Sequence, residues 1–213
     1  MEPDAVEMRV LGCLIEKQRT TPDVYPLTLN ALRLACNQST NRDPVVDYDE
    51  NTIRGAIDRL VQRKWATLAS WSNRRSMKYR HTLDGALGLD DAEVALLDVL
   101  MLRGAQTPGE LKARTERLHR FADMDDLGGT LERLIERRLA VRLERRPGQR
   151  EERYTHLLGG EDVPEAEERA EPPQAPAPAP APADSFEQRF ERLEQQIAEL
   201  RTELQALREQ HSG

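Results

Sequence analysis

The feature that most constrains this chain is an internal repeat. The segment "AVEMRVLGCLIEKQRTTPD" (residues 5–23) aligns with "DAEVALLDVLMLRGAQTPG" (residues 91–109) at a constant offset of 86, setting Glu7 on Glu93, Leu11 on Leu97, Leu14 on Leu100 and Thr21-Pro22 on Thr107-Pro108. Further on, "IRGAIDRLVQRKWATL" (53–68) aligns with "LGGTLERLIERRLAVR" (127–142) at an offset of 74, and "YRHTL" with "YTHLL" at 75. Three blocks in one order exceed what two unrelated amphipathic helices would share, so the chain reads as two copies of one module. The second copy is 12 residues shorter, and the deficit falls between Pro22 and Ile53.

Each copy reads as three helices and a hairpin. In the first, Val6, Val10, Leu11, Leu14 and Ile15 recur at helical spacing. Thr21-Pro22 is expected to cap and open a second helix carrying Leu27, Leu29, Leu32 and Ala35. A third helix is predicted at Glu50–Lys64 with Asp49 as its cap, followed by strands in "ATLASW" and "MKYRHTL". The second copy repeats this with helices near Asp90–Arg103, Pro108–Thr115 and Met124–Arg138, then a hairpin from "AVRLER" to "REERYTHLL". Trp65, Trp71, Tyr79 and Tyr154 are expected to pack against the small sheets rather than to stack on bases.

Three helices running into a hairpin describe the winged helix, a helix-turn-helix variant. The expected fold is therefore α+β, mostly α: winged-helix domains at 1–83 and 84–160, a disordered acidic and Ala-Pro-rich linker at 161–184, and a coiled-coil helix at 185–211. The alternating Ala-Pro tract lacks backbone donors and favours an extended spacer. Beyond it, Phe186, Phe190, Leu193, Ile197, Leu200, Leu204 and Leu207 alternate spacings of four and three, the seam of a coiled coil, so a homodimer is expected.

Charge has to be read by segment. The net charge is −7, but residues 1–83 carry 13 Lys/Arg against 10 Asp/Glu, whereas residues 161–213 carry 5 against 13. The acidity lies in the tail, and the N-terminal body is slightly basic. Cys13 and Cys36 sit in apolar-periodic segments, which suits buried free thiols in a reducing compartment. No signal-like start or membrane-length apolar run is present, and a cytoplasmic protein is expected.

The stretches "LGCLIEKQRTTPDVYPLTLNAL", "ACNQSTNRDPV", "AEVALLDVLMLRGAQTPGEL", "FADM" and "PGQREERYTHL" closely resemble the YceH family of bacterial proteins. The resemblance covers most of residues 6–160 and implies a tandem winged-helix fold. It implies no established activity, catalytic residue or cofactor. The family pattern carries Lys after Asn-Gln, where this chain has Ser39.

The residues themselves point away from catalysis: His81, His119, His156 and His211 are scattered, no metal-ligand spacing occurs, and no Gly-rich phosphate loop is present. No enzyme activity, cofactor or metal is expected. The expected function is DNA binding, as in a transcriptional regulator. The third helix of the first copy would approach the duplex with Asn51, Thr52, Arg54, Arg59 and Arg63, and the wing with Arg74, Arg75 and Lys78. The second copy is a poorer groove reader, since its third helix opens on Asp125 and Asp126. The alternative is a protein-interaction adaptor without direct DNA contact, similar to the kleisin-associated subunit of bacterial condensin. Asn37, Gln38, Asn41 and Arg42, in the segment the second copy lacks, are the candidates for an added contact. Expected partners are thus double-stranded DNA, a protein in the alternative, and a second copy of the chain, with no membrane.

Overall fold

The computed structural model describes residues 2–69, 77–145 and 151–159. Trp71, Arg74 and Arg75 of the first hairpin, the linker at 161–184, and the seam residues Phe186 to Leu207 lie outside the described residues. The fold is mixed α/β, with small sheets beside a helical core. The first half comprises α1 (Ala5–Thr20), a 3-10 turn (Pro22–Val24), β1 (Leu27–Thr28), α2 (Leu29–Cys36), α3 (Glu50–Gln62), β2 (Ala66–Ala69) and β3 (Lys78–His81). A short α4 (Leu83–Leu87) leads into the second half: α5 (Asp91–Arg103), α6 (Pro108–Thr115), α7 (Met124–Glu136), β4 (Ala140–Leu143) and β5 (Arg153–His156).

The first helix of each half starts on a capping box. Asp4 accepts from the Glu7 N–H at 2.8 Å while Glu7 accepts from the Asp4 N–H at 3.0 Å. Asp90 and Glu93 repeat both bonds at the same distances. Each box satisfies two N–H groups that a helix start leaves unpaired. Beyond its box, α5 is buried at every position from Glu93 to Leu102, and α1 from Glu7 to Ile15. Helices buried on all sides are sandwiched between layers, and here each lies between its own half and the other helix.

The two helices run antiparallel. Arg19 near the end of α1 forms an ion pair with Asp91 at the start of α5. Midway, a Cβ built on Gly12 would lie 2.8 Å from Leu102 Cδ2 and 3.4 Å from Asp98 Oδ1. Gly12 and Asp98 are equivalent at the offset of 86, so the halves meet about a local pseudo-twofold. One hydrophobic cluster runs through both, from Leu11, Leu14 and Ile57 to Leu97, Leu100 and Leu134.

The sheets are antiparallel. β1, β3 and β2 pair in that order, with Leu27 opposite Tyr79 and Leu68 opposite the same Tyr79. β4 and β5 pair with Arg142 opposite Tyr154. Gln106 and Tyr154 exchange backbone bonds of 3.0 and 2.8 Å, a one-residue counterpart of the β1–β3 pairing. Tyr79 and Tyr154 are buried and Trp65 packs partly buried against the core, in the packing role expected of them. His81 and His156 are equivalent positions on β3 and β5. Burial lowers both to about 4, so both imidazoles are neutral near pH 7.

Two expectations are corrected. Thr21-Pro22 opens only the 3-10 turn, and the Thr21 side chain makes no cap hydrogen bond. The second helix begins at Leu29, capped by Thr28, just as Thr107 caps α6. Matching Leu29 to Pro108 gives an offset of 79, so the 12 extra residues divide into seven before α2 and five after it. The segment "ACNQSTNRDP" therefore holds only part of the insertion.

Because Gly12 lets α1 and α5 approach, Gly12→Ala is expected to drive a methyl group into the Leu102 side chain. A loss of about 1–3 kcal/mol is expected from such overpacking, read as a lower denaturation midpoint at unchanged m-value.

Candidate nucleic-acid interface

The residues proposed from sequence to face a duplex separate into three groups. Arg59 and Arg63 point along the protein. Arg59 donates to Asp4 Oδ2 at 2.6 Å and Glu7 Oε2 at 3.1 Å, and Arg63 Nε donates to Glu7 Oε1 at 3.2 Å. Glu7 is 1% exposed, so two guanidinium groups close over a buried carboxylate. The second half repeats this: Arg133 reaches Asp90 at 3.1 Å and Glu93 at 3.7 Å, and Arg137 reaches Glu93 at 3.1 Å. These arginines tie the start of the first helix to the end of the third in each half, and a buried carboxylate needs such partners. The recurrence was the sequence signal for this role: Asp4, Glu7, Arg59 and Arg63 fall on Asp90, Glu93, Arg133 and Arg137.

The exposed face of α3 keeps Asn51, Thr52 and Arg54. Arg54 pairs with Glu50 one turn earlier at 2.6 Å. Asp49 caps the helix by accepting from the Thr52 N–H at 2.7 Å. Asp43, Asp47, Asp49 and Glu50 are all exposed in the approach to this helix and at its start, which makes that end acidic. The first residues of α7 are acidic too, with Asp123, Asp125 and Asp126 exposed. Carboxylates there stabilise the helix dipole and oppose a phosphate backbone.

Asn37, Gln38, Asn41 and Arg42 are committed to the protein itself. Asn37 donates to Asp47 at 3.2 Å and to the Tyr48 carbonyl at 2.9 Å, and accepts from the Tyr48 N–H at 2.9 Å. Arg42 is 6% exposed and grips Glu16 through both terminal nitrogens, at 3.1 and 2.6 Å. It also donates to the carbonyls of Ala35 and Asn41 and to Gln38 Oε1. Burial pushes the Glu16 carboxyl up, but bonds and charge from Arg42 and Lys17 bring it below its ordinary value. Asn41, at φ 60°, accepts from Arg103 of α5, and the Asp43 N–H donates to the Leu102 carbonyl at 2.9 Å. The loop from 37 to 48 is thus a latch from the first half onto the second, and Arg42 is an internal clamp rather than an exposed donor.

Of the wing residues, Lys78 alone is described. It stands on the outer face of the first sheet with Arg80, and Lys64 precedes β2 at the other end of the register; sequence reasoning missed both of these further cations. Tyr79 and His81 are buried, so the alternation of a strand turns Lys78 and Arg80 outward. That signal was legible in "KYRH". Their cross-strand partners, Ala69 and Thr67, carry no charge. Lys64, in the left-handed region at φ 62°, follows α3. Among the described residues, none of these three side chains enters an ion pair. An open groove at Lys64 and Arg80, lined also by Trp65, Thr67, Thr82 and Gly85 among others, has no carboxylate in its lining. Among the described residues the second half has no matching face, since Arg153 bonds the Ala105 carbonyl and Thr155 is buried where the first half has Lys78 and Arg80. Among the described residues, no group of His, Cys, Asp and Glu suits a metal ion, and no helix is long and apolar enough to cross a membrane.

A family model described as "Protein of unknown function, DUF480" matches residues 4–149. The UPF0502 protein YceH of Salmonella newport is 46% identical over 213 residues, covering 97% of this chain and 96% of that one. A UPF0502 protein of Pelobacter propionicus is 47% identical over 207 residues, covering 95% and 91%.

The latch and the exposed helix face predict opposite responses. Arg42→Ala, which removes five hydrogen bonds and leaves Glu16 only the Lys17 ammonium at 3.0 Å, is expected to cost about 3 kcal/mol. Arg54→Ala, which removes an exposed pair, is expected to change stability by less than about 1 kcal/mol. Urea denaturation of both variants is the check.

Proposed function

We propose, for a chain that belongs to the YceH family of DUF480 proteins, a non-enzymatic role in binding double-stranded DNA through the sheet face of its first half. In this reading each half is a winged helix, and the first holds the duplex by its wing rather than by inserting α3. The observation that carries it is the unpaired cationic face of Lys64, Lys78 and Arg80, extended in sequence by Arg74 and Arg75 of the same hairpin. Cations free of local carboxylates are the ones available to replace counterions on a phosphate backbone. Asn51 and Arg54 are left as secondary contacts, because the acidic start of α3 disfavours deep entry into a groove.

Titrating a labelled duplex with the purified protein at rising salt tests this. Affinity is expected to fall steeply with salt, and Lys78→Glu with Arg80→Glu to lower it at least tenfold. The double change is also expected to reduce the slope of log K against log salt by about 2, at ~0.9 per phosphate contact. Arg54→Ala is expected to leave affinity within about twofold, since its charge is already paired. Affinity indifferent to salt, or no binding at low salt, would sink the reading. The adaptor role would then be favoured, drawing on the exposed apolar Leu34 and Val45 of α2 and the following loop.

The heptad seam from Phe186 to Leu207 supports a homodimer. Leu193→Glu with Leu200→Glu, placing charges on that seam, is expected to give a monomer by sedimentation, and a dimer unchanged by both substitutions would refute it.

A further inference from the structure

Trp65 has two surroundings. It packs partly buried against the core, and it also lines the open groove at Lys64 and Arg80. The backbone pairs it with the returning strand: the Thr82 N–H donates to the Trp65 carbonyl, and Thr82 Oγ1 to the Lys64 carbonyl, both at 2.8 Å. Two residues further on, Thr67 stands opposite Arg80. Thr67 and Arg80 therefore share the face turned away from the buried Ala66, Tyr79 and His81. The other wall of the groove is α4, at Gly85 and Ala86, and a Cβ built on Gly85 meets nothing within 4 Å. The groove measures about 590 Å³, more than a phosphate group fills and within the roughly 300–1,000 Å³ of small-ligand sites.

The second half supplies an internal control. At the offsets of 74 and 75, Trp65, Thr67, Arg80 and Thr82 correspond to Leu139, Val141, Thr155 and Leu157. The backbone there is the same: the Leu157 N–H donates to the Leu139 carbonyl at 2.9 Å, as Thr82 does to Trp65. Lys64 and its counterpart Arg138 both stand in the left-handed region, at φ 62° and 54°. The module thus folds with leucine, valine, threonine and leucine at these four positions. Folding does not call for the indole, the guanidinium group and the two hydroxyls, which occur together in the first half only.

An aromatic side chain beside two cations, with hydroxyls near and no carboxylate, matches the two parts of a nucleotide. The cations suit its phosphate and the indole suits the flat face of its base. A paired base is stacked within the duplex and cannot meet the indole while its phosphate rests on the sheet, whereas an unpaired one can do both. An open groove also suits a link in a longer strand, which has to enter and leave. We propose that this groove seats one unpaired nucleotide of a DNA strand, its phosphate on Lys64 and Arg80 and its base on Trp65. The first half accordingly prefers duplexes that carry a single-stranded end. This inference rests on the proposed use of the sheet face for DNA and adds the state of the strand that the face selects.

The test titrates the full-length protein, at one salt concentration, into a labelled blunt duplex and into the same duplex with an oligo-dT overhang. The overhang is expected to raise affinity at least about fivefold, the low end of what one base stacked on an aromatic ring contributes. Trp65→Leu, copying Leu139, is expected to abolish that preference, which separates stacking from the added charge of the overhang. Trp65→Phe, the milder change, is expected to lower the same ratio should the leucine variant fold poorly. In a Trp71→Phe background Trp65 is the one tryptophan left, and free oligo-dT is expected to quench its fluorescence. Equal affinity for the two duplexes, or a preference that Trp65→Leu leaves intact, overturns this inference while salt-dependent binding of the blunt duplex keeps the duplex reading. Binding of the tailed duplex but not the blunt one upholds this inference and overturns the duplex reading, and binding of neither overturns both.

Discussion

The antiparallel crossing of α1 and α5 is the contact on which the other elements depend. Each helix is the first of its half, and each is buried along about nine or ten residues because the other covers the side that its own half leaves open. The approach is permitted by the absent side chain at Gly12, where Leu102 fills the space. With equivalent positions 12 and 98 at the centre, neither half can shift along the other without breaking the fit at both ends. Close-packed interiors resist such shifts because each displaced methyl group either opens a void or overlaps a neighbour. The halves thus share one apolar core, and the polar contacts add direction to it.

Those polar contacts are of two kinds. The carboxylate of Glu7 or Glu93, covered by two arginines from the third helix, appears in both halves and serves the module itself. The latch is found in the first half alone. Arg42 is held by Glu16 on α1, while its neighbours Asn41 and Asp43 bond Arg103 and Leu102 on α5. A fully desolvated guanidinium is costly to bury without partners, and Arg42 finds five acceptor atoms. Such a group fixes a loop in one conformation far better than an apolar side chain of similar size, because its acceptors lie in fixed directions.

Most of this architecture was legible in the sequence for a specific reason. The repeat supplied each element twice, so a weak signal in one half was reinforced by the other, and the helices α3, α6 and α7 lie within two residues of their expected bounds. The start of the second helix was misplaced because Thr21-Pro22 copies Thr107-Pro108 in letters without copying its cap, which passes to Thr28. Arg59 and Arg63 looked exposed because a helical pattern shows only that a residue stands off the apolar stripe, not which neighbouring element meets it. The role of the latch was illegible for a related reason: Arg42 meets Glu16 across 26 residues and Asn41 meets Arg103 across 62. Local composition in "ACNQSTNRDP" carries no record of such distances.

These assignments change what the basic character of the first half means. Its cations outnumber its carboxylates, yet Arg9, Lys17, Arg42, Arg59 and Arg63 are held by internal acceptors, while Arg19 and Arg54 each have a carboxylate partner. Charge already neutralised within a few ångströms contributes little to the field beyond it. Without a carboxylate partner among the described residues are Arg9, buried on two carbonyls, Arg33, bonded to Asn30, and Lys64, Lys78 and Arg80 on or next to the sheet, whereas the start of α3 is acidic. The half that is slightly basic by count is thus divided between a cationic sheet face and an acidic helix start. In the reading proposed above, an anionic partner would therefore meet the sheet at Lys78 and Arg80 rather than the acidic start of α3.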